Sequence, residues 1–221
     1  MGIPLGDVSR RPQHRPVVTI VIIAINVLVF LLELSGGDSF VQQWSVIPAD
    51  IVAGRHWITI LTGMFMHAGW MHIIGNMVFL WAFGPEIEDA MGPIRYFVFY
   101  LLGGLAAALA QIASASASTI PNLGASGAIA AVMGAFLITY PRDRIRTLPF
   151  FGFFVTMAMI PAALLIGLWF VIQLFSQVGA VVNAQSGAGG VAYMAHVGGL
   201  IFGVVAARLF ESHERLAASA P

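Results

Sequence analysis

A serine and a histidine stand near the starts of two apolar runs of this chain, and together they could perform nucleophilic chemistry. Ser126 lies between glycines in the stretch 124–127, just before the apolar run 128–140. His196 lies near the start of the apolar run 191–210. A serine hydroxyl becomes a nucleophile when a neighbouring base takes its proton, and neutral imidazole suits that task near neutral pH. The two residues are therefore candidates for a nucleophile–base pair.

Hydrogen-bond donors for the same chemistry are also available. A nucleophile that attacks a carbonyl creates negative charge on its oxygen, and this charge needs donors. The backbone N–H of Ser126, near a helix N-terminus, is one such donor. His72 and Asn76 are four residues apart, so a helix places both side chains on one face. Each of them could supply a further donor.

The composition assigns these residues to a membrane protein. Of the 221 residues, 59% are hydrophobic and only 9% are charged, with a mean hydropathy of +0.89. A soluble domain carries about 25% charged residues, so most of this surface must face lipid. The net charge of zero gives no footprint for nucleic-acid binding. The sequence has no cysteine, which excludes disulfides, thiol catalysis and zinc–thiolate sites.

The apolar runs predict an all-α membrane protein with six transmembrane helices. The runs are 17–34, 70–83, 96–113, 125–140, 150–175 and 191–210. We assign 1–16 to an N-terminal segment without regular structure, because it is polar and contains two prolines. One helical domain then covers 17–211, and 212–221 form a short tail. The long first loop, 35–62, is expected on or in the membrane interface.

The placement of arginine predicts the orientation of these helices. With six spans both termini lie on one side, and nine of the ten basic residues fall on that side. These nine are Arg10, Arg11, Arg15, Arg95, Arg142, Arg144, Arg146, Arg208 and Arg215. Basic residues concentrate on the cytoplasmic side of membrane proteins. We therefore expect both termini in the cytoplasm and the first loop, with Arg55, outside.

This topology brings the candidate residues to one level. The second, fourth and sixth spans all start at the outer face, so the four polar residues lie in the outer half of the bilayer. Polar groups inside hydrocarbon usually face a protein interior or a wet cavity. We expect Ser126, His196 and the pair on the second span to share one cavity that opens outward.

No acidic residue is well placed to orient the histidine, which favours a Ser–His dyad over a triad. Most of the candidate acids lie in the first loop or at the inner side: Asp38, Asp50, Glu88, Asp89 and Asp143. Glu33, at the outer end of the first span, is the one remote possibility.

From the residues alone, other roles for these side chains stay open. A serine in a membrane helix often bonds the carbonyl four residues back, and histidine or asparagine often joins helices. A metal site is a weaker alternative. His67 and His72 are five residues apart with His196 as a possible third ligand, but the H-E-x-x-H motif is missing. We expect neither a metal nor a cofactor.

Small residues predict close approach of the fourth and sixth spans. They recur at helical spacing: Gly127, Gly134, Ala195, Gly199 and Gly203. Small residues four apart let membrane helices pack closely, although the spacing is common in such bundles. A short contact between Ser126 and His196 requires this approach.

With these motifs in order, residues 17–210 resemble the rhomboid family of intramembrane serine proteases. Four stretches carry the resemblance. They are HAGWMHIIGN at 67–76, G-x-x-x-E-x-x-x-G at 84–92, GASG at 124–127 and A-H-x-x-G-x-x-x-G at 195–203. The resemblance implies a six-helix bundle with a short central fourth helix and a half-submerged first loop.

The resemblance also implies roles for individual residues. Ser126 would be the nucleophile and His196 the general base. His72 and Asn76 would complete an oxyanion hole with the Ser126 amide. Structural support is implied at six further positions: His67, Glu88, Gly124, Gly127, Gly199 and Gly203.

Two positions depart from the family's pattern. Many members carry a Trp-Arg pair in the first loop, whereas here Trp57 is followed by Ile58. This leaves open how the loop is anchored. Many members also place a tyrosine one turn after the serine, where it packs against the base. Here that residue is Ala130, so His196 must be oriented by something else.

The implied function is proteolysis of transmembrane segments of membrane-protein substrates. We expect substrates to arrive between the second and fifth spans, where aromatic residues either form a loose gate or simply face lipid. These residues are Phe150, Phe151, Phe153, Phe154, Trp169 and Phe170. Pro161 is expected to kink the fifth span, and the glycine-rich loop 177–190 to cap the cavity.

Two other classes of function are alternatives. An inactive rhomboid-like protein that binds or escorts membrane clients would be favoured by loss of the serine or the histidine, and both are present. A small transporter would need intramembrane charges or broken-helix repeats, which the sequence lacks. We expect a multi-pass protein of the prokaryotic plasma membrane, with transmembrane substrates and the lipid bilayer as partners and without nucleic acid or metal.

Overall fold

The computed structural model describes residues 2–10, 12–151, 154–155, 157–182 and 192–218. In chain order its helices are α1 (Val17–Trp44), α2 (Pro48–Val52), α3 (Thr59–Thr62), α4 (Trp70–Met91), α5 (Pro93–Ser114), α6 (Ser126–Thr139), α7 (Ala162–Val182), α8 (Tyr193–Phe210) and α9 (His213–Ala218). A single 3-10 turn, Gly63–Phe65, follows α3. The helices α5, α6 and α8 lie close to the predicted spans. The helix α1 continues beyond residue 34 to Trp44 with a break at Gly37, so the first part of the predicted loop 35–62 is helical.

Several of these helices have the length and apolar surface of membrane spans. Within the described residues, α1, α5 and α8 are long and apolar enough to cross a membrane. Two shorter apolar helices are α6 and the segment Ala162–Ile172 of α7. Many large aliphatic side chains of these helices are exposed, as expected of a surface that faces lipid. The chain therefore forms a mostly helical membrane protein, while the count of six spans stays a prediction.

The helix α6 forms the centre of the bundle. It has 14 residues, and every residue from 127 to 136 is buried. A helix that is apolar all round is stable only when other helices surround it. Here α4, α5, α7 and α8 all contact α6.

The helices α1 and α4 run in opposite directions. Near the start of α1, the backbone N–H and the hydroxyl of Thr19 donate to Glu88 near the end of α4, each at 2.8 Å. Further along α1, Glu33 accepts the backbone N–H of His67, just before α4 begins. The two contacts fix the relative height of the helices, with Ser126 at the end of the bundle nearer His67.

A four-stranded sheet lies at the opposite end of the bundle, between the end of α6 and the start of α7. Its strands are β1 (Gly2–Asp7), β2 (Arg144–Phe151), β3 (Phe154–Val155) and β4 (Ala158–Pro161). The strand β2 pairs antiparallel with each of the other three. The prediction that residues 1–16 lack regular structure is therefore wrong, because residues 2–7 find a partner strand far along the chain.

The sheet also corrects the predicted fifth span. The helix α7 begins at Ala162 and not near residue 150, so Phe150, Phe151 and Phe154 lie in strands. An apolar run of this kind suits a strand as well as a helix until a pairing partner is known. Phe153 lies outside the described residues. Pro161 ends β4 directly before α7, so it lies outside the helix and does not kink it.

The structure also corrects the first part of the predicted glycine-rich loop 177–190. Residues 177–182 belong to α7. Residues 183–190 lie outside the described residues, and so does the proposed cap over the cavity.

Candidate active site

Ser126 is the first residue of α6, and the backbone before it is built to place it there. Gly124 has φ +135, a conformation that residues with a Cβ rarely adopt. Its N–H donates to the carbonyl of Gly63 at 2.9 Å, which ties this turn to the end of the first loop. The serine therefore starts a buried helix with its amide at the helix N-terminus, where unpaired N–H groups favour negative charge.

His196 reaches the serine from the first turn of α8. Its Nε2 lies 2.7 Å from the Oγ of Ser126, a hydrogen-bonding distance that permits direct proton transfer. The imidazole is only 6% exposed. The structure thus brings together the two residues that the sequence predicts as nucleophile and base.

Glycines allow this short contact between α6 and α8. A methyl group on Gly199 would lie 2.0 Å from the carbonyl oxygen of Gly127. A methyl group on Gly203 would lie 2.1 Å from the carbonyl oxygen of Ala131. The two backbones therefore touch directly, and a larger residue at either glycine would push the helices apart. Gly127 is equally crowded on its other side, where a methyl group would lie 2.5 Å from the Cβ of Ala107 on α5.

His72 lies in the first turn of α4 and presents one ring nitrogen to the serine's backbone turn. Its Nδ1 accepts the N–H of Ala68 at 3.2 Å, so the proton of the neutral imidazole belongs on Nε2. A methyl group on Gly124 would lie 3.1 Å from that Nε2. The Nε2–H donor therefore lies beside the turn that leads into Ser126.

Asn76 lies one helical turn after His72 and is buried, with 8% of its surface exposed. Its Nδ2 has no hydrogen-bond partner among the described residues. A buried donor without a partner costs about 1–3 kcal/mol. A group that is retained at this cost is a candidate for binding something that the chain itself does not supply.

An open cavity of about 920 Å³ leads to the serine. Its lining includes His72, Ser126, Ala192 and the segments 68–71 and 120–123. A second cavity of about 50 Å³ lies next to Ser126, and its lining of mostly small and apolar residues includes parts of α5, α6 and the first loop. Ser126 thus has both an open approach and a small recess beside it.

Glu33 is occupied elsewhere and does not orient the base. Its two carboxylate oxygens accept the backbone N–H of His67 at 2.9 and 3.2 Å.

The His67 ring is buried and lies edge-on to the His72 ring, with 5.2 Å between centroids. Among the described residues there is no group of three potential metal ligands.

The first loop is anchored through its backbone and not through Trp57, whose side chain is exposed. Val46 and Asn122 exchange two backbone hydrogen bonds, at 2.9 and 2.7 Å. The hydroxyl of Thr62 donates to the carbonyl of Trp44 at 2.7 Å. The first pair connects the loop to the segment directly before the serine, and the Thr62 bond joins the end of the loop to the end of α1.

Sequence reasoning missed the aromatic neighbours of the base. The ring of Trp169 on α7 lies 5.4 Å from that of His196, tilted by 47°. The ring of Tyr193 lies 6.5 Å away, nearly perpendicular. The spacing of three residues along α8 could have identified Tyr193. Trp169 had no such signal, because its contact depends on how α7 packs against α8.

Comparisons with known proteins show which family the chain belongs to. Residues 54–212 match the family model described as the Rhomboid domain. Over 127 residues the chain is 34% identical to the rhomboid protease GluP of Bacillus subtilis (strain 168), which covers 56% of this chain and 24% of that protein. Over 198 residues it is 31% identical to the rhomboid protease GlpG of Salmonella choleraesuis (strain SC-B67), covering 89% of this chain and 64% of the relative.

A mitochondrial relative is similar over a shorter stretch. Rhomboid protein 1 of Saccharomyces cerevisiae (strain ATCC 204508 / S288c) is 30% identical over 129 residues, which cover 56% of this chain and 37% of that protein. The chain therefore spans less than two thirds of the length of each of these three relatives.

Proposed function

Because the chain belongs to the rhomboid family, we propose that it is an intramembrane serine endopeptidase that cleaves transmembrane segments of other membrane proteins. One observation carries the proposal. The Oγ of Ser126 lies 2.7 Å from the Nε2 of His196, at the N-terminus of a buried helix. This is the arrangement that an activated serine nucleophile requires.

The first half of the reaction forms an acyl-enzyme. Nε2 of His196 takes the hydroxyl proton of Ser126 while Oγ attacks the scissile carbonyl carbon. The carbonyl oxygen becomes an oxyanion, and the Ser126 amide, Nε2–H of His72 and Nδ2 of Asn76 donate hydrogen bonds to it. The imidazolium then gives its proton to the leaving amine as the C–N bond breaks.

The second half releases the other product. A water molecule from the open cavity attacks the ester, and His196 takes one of its protons. The tetrahedral species collapses, the bond to Oγ breaks, and Ser126 regains its proton from the imidazolium. The cavity of about 920 Å³ supports this step because it gives water a path to the serine.

The recess beside the serine and the membrane setting define the substrate. A helical substrate has its carbonyls hydrogen-bonded within the helix, so the segment must unwind before cleavage. Glycine or proline near the cleaved bond lowers the cost of unwinding. The recess of about 50 Å³ next to Ser126 suits a small side chain. We place the cavity at the outer side of a prokaryotic plasma membrane with both termini in the cytoplasm, as the arginine distribution predicts.

The experiment compares variants in purified, detergent-solubilised protein with a reporter that has one transmembrane segment. Wild type and the control Ser114→Ala, which removes an exposed hydroxyl on α5, should cleave the reporter. Ser126→Ala and His196→Ala should lower the rate by more than about 10³-fold. A fluorophosphonate should label wild type at Ser126. Cleavage that survives Ser126→Ala would overturn the mechanism, and a wild type that binds the reporter without cleaving it would support a client-binding function instead.

A further inference from the structure

We propose that Trp169 on α7 is the positioning residue of the general base, and that its ring holds the imidazole of His196 in line with Ser126. This inference rests on the proposed function. The two rings are in contact, with 5.4 Å between centroids and a tilt of 47°. Trp169 packs against the imidazole of His196, whose Nε2 lies 2.7 Å from the Oγ of Ser126.

A base in this site needs such a contact. The last torsion of a histidine side chain has a broad energy profile, so packing must fix the plane of the ring. Proton transfer depends on the direction of Nε2 toward the serine Oγ, and a displacement of about 1 Å can cost about 100-fold in rate. A large flat neighbour fixes both the plane and the distance.

Trp169 comes from the packed face of α7 and not from its lipid face. Ala162, Leu165 and Ile166 are buried, and Trp169 continues this helical stripe. Leu168, next to Trp169, lies outside this stripe and is exposed. Trp169 itself is half-buried and packs against the hydrophobic core. The packed position of the ring argues against lipid exposure as its role.

The other neighbours of the base do not provide an equivalent contact. Ala130 on α6 is buried and has only a methyl group, which lies close to Gly199. Tyr193 meets the imidazole edge-on, but it belongs to α8 and moves with His196. Trp169 approaches from a different helix, so it can fix the ring relative to the helix that carries the serine.

The test compares Trp169→Leu, Trp169→Phe and the control Phe170→Leu, which changes the adjacent aromatic residue. Two measurements separate positioning of the base from access of the substrate. One is the kcat and KM for the transmembrane reporter. The other is the rate at which a small fluorophosphonate labels Ser126, a reaction that needs no transmembrane segment to pass between helices.

We expect Trp169→Leu to lower kcat and the labelling rate together by about tenfold, with an unchanged KM. Trp169→Phe keeps a flat ring and should retain most of both rates. The rate at which the fluorophosphonate labels Phe170→Leu should stay within about twofold of the wild-type rate. Rates are normalised to the monodisperse, folded fraction from size exclusion, and Trp169→Phe keeps the comparison valid if the leucine variant does not fold.

Other results would overturn the inference. A Trp169→Leu protein that is labelled at the wild-type rate, with only its KM or reporter cleavage changed, would assign the tryptophan to substrate access. Equal losses in Trp169→Phe and Phe170→Leu would assign it to general stability of α7. If wild type itself were neither labelled nor active, the proposed function would fail first, which distinguishes the two failures.

Discussion

The helices that carry Ser126 and His196 contact each other very differently from α7, the helix that flanks His196. At the interface of α6 and α8, a methyl group on Gly134 would lie 2.4 Å from the carbonyl oxygen of Leu200. On α7, a methyl group on Gly167 would meet nothing within 4 Å. The first interface is made by backbone against backbone. The helix α7, in contrast, is held by side chains along one of its faces.

This difference determines which distances in the site are set by backbone contacts and which depend on side chains. Backbone contact leaves no side chain that could adjust, so the distance between Ser126 and His196 is set by the path of two helices. The helix α7 has one packed face and an exposed one, and its start is linked to the sheet. The N–H of Ala162 donates to the carbonyl of Asp143 at 2.8 Å, and β4 directly precedes it. The position of α7 is therefore set by side-chain packing and by its link to the sheet.

The strongest test makes the same change on both sides of this comparison. Gly199→Ala places a methyl group 2.0 Å from a backbone oxygen, so α6 and α8 must separate. We expect a loss of at least about 1–3 kcal/mol in the free energy of unfolding and a large loss of cleavage. Unfolding in mixed detergent micelles and reporter cleavage measure the two effects.

Gly167→Ala is the matched control on α7. The new methyl group meets open space, and alanine is better than glycine inside a helix by about 0.5–1 kcal/mol. The variant should be as stable as wild type or slightly more stable, with unchanged cleavage. Equal destabilisation by the two substitutions would mean that the contrast between the interfaces does not exist.

A weaker effect on stability and a selective effect on chemistry are expected at the turn before the serine. Gly124→Ala puts a Cβ on a residue with φ +135, 2.9 Å from Cε1 of His72. The backbone strain costs about 1–3 kcal/mol. The displaced imidazole no longer directs its donor at the oxyanion, so kcat should fall by about 10²-fold. Reporter cleavage and fluorophosphonate labelling would both report this loss.

Gly54→Ala controls for the strain in that experiment. Gly54 also has a positive φ, +77, but a methyl group there meets nothing within 4 Å. It should lose stability to a similar extent and keep its kcat. A similar fall in kcat for Gly54→Ala would show that strain anywhere in the loop, and not contact with His72, explains the result.

The contacts between α6 and α8 were predictable from sequence, and those of α7 and the sheet were not. Glycines at 199 and 203 signal close helix packing because only a missing Cβ permits it, so the approach of Ser126 and His196 followed from local spacing. The pairing of β1 with β2 joins residues about 140 positions apart, and no local sequence pattern predicts it. The role of Trp169 depends on the same long-range packing. Sequence reasoning therefore placed it among residues that face lipid or form a loose gate.

The smallest predicted effect lies on the side of the sheet and depends on pH. Burial raises the pKa of Asp7, at the end of β1, to about 6, and the nearby Asp143 adds to the increase against the lowering effect of Ser9 N–H and Arg10. Arg10 forms an ion pair with Asp143, and Glu86 of α4 faces the same group of charges. The folded state therefore favours the protonated form of Asp7 more than the unfolded chain does.

The sign of the dependence follows from the direction of this shift. The folded state binds the proton more tightly than the unfolded chain, whose aspartate has a pKa of 3.8. Docking of β1 is therefore strongest below about pH 4 and weakens as the pH rises through about 6.

Asp7→Asn should remove this dependence and strengthen docking at pH 7 by about 1 kcal/mol. Hydrogen exchange of the β1 amides between pH 4 and 8, corrected for intrinsic rates, measures it. The rate of Ser126 labelling at pH 7 should be the same in both proteins, because the backbone contacts of α6 and α8 do not involve the sheet. A changed labelling rate would mean that the sheet and α7 transmit force to the catalytic pair.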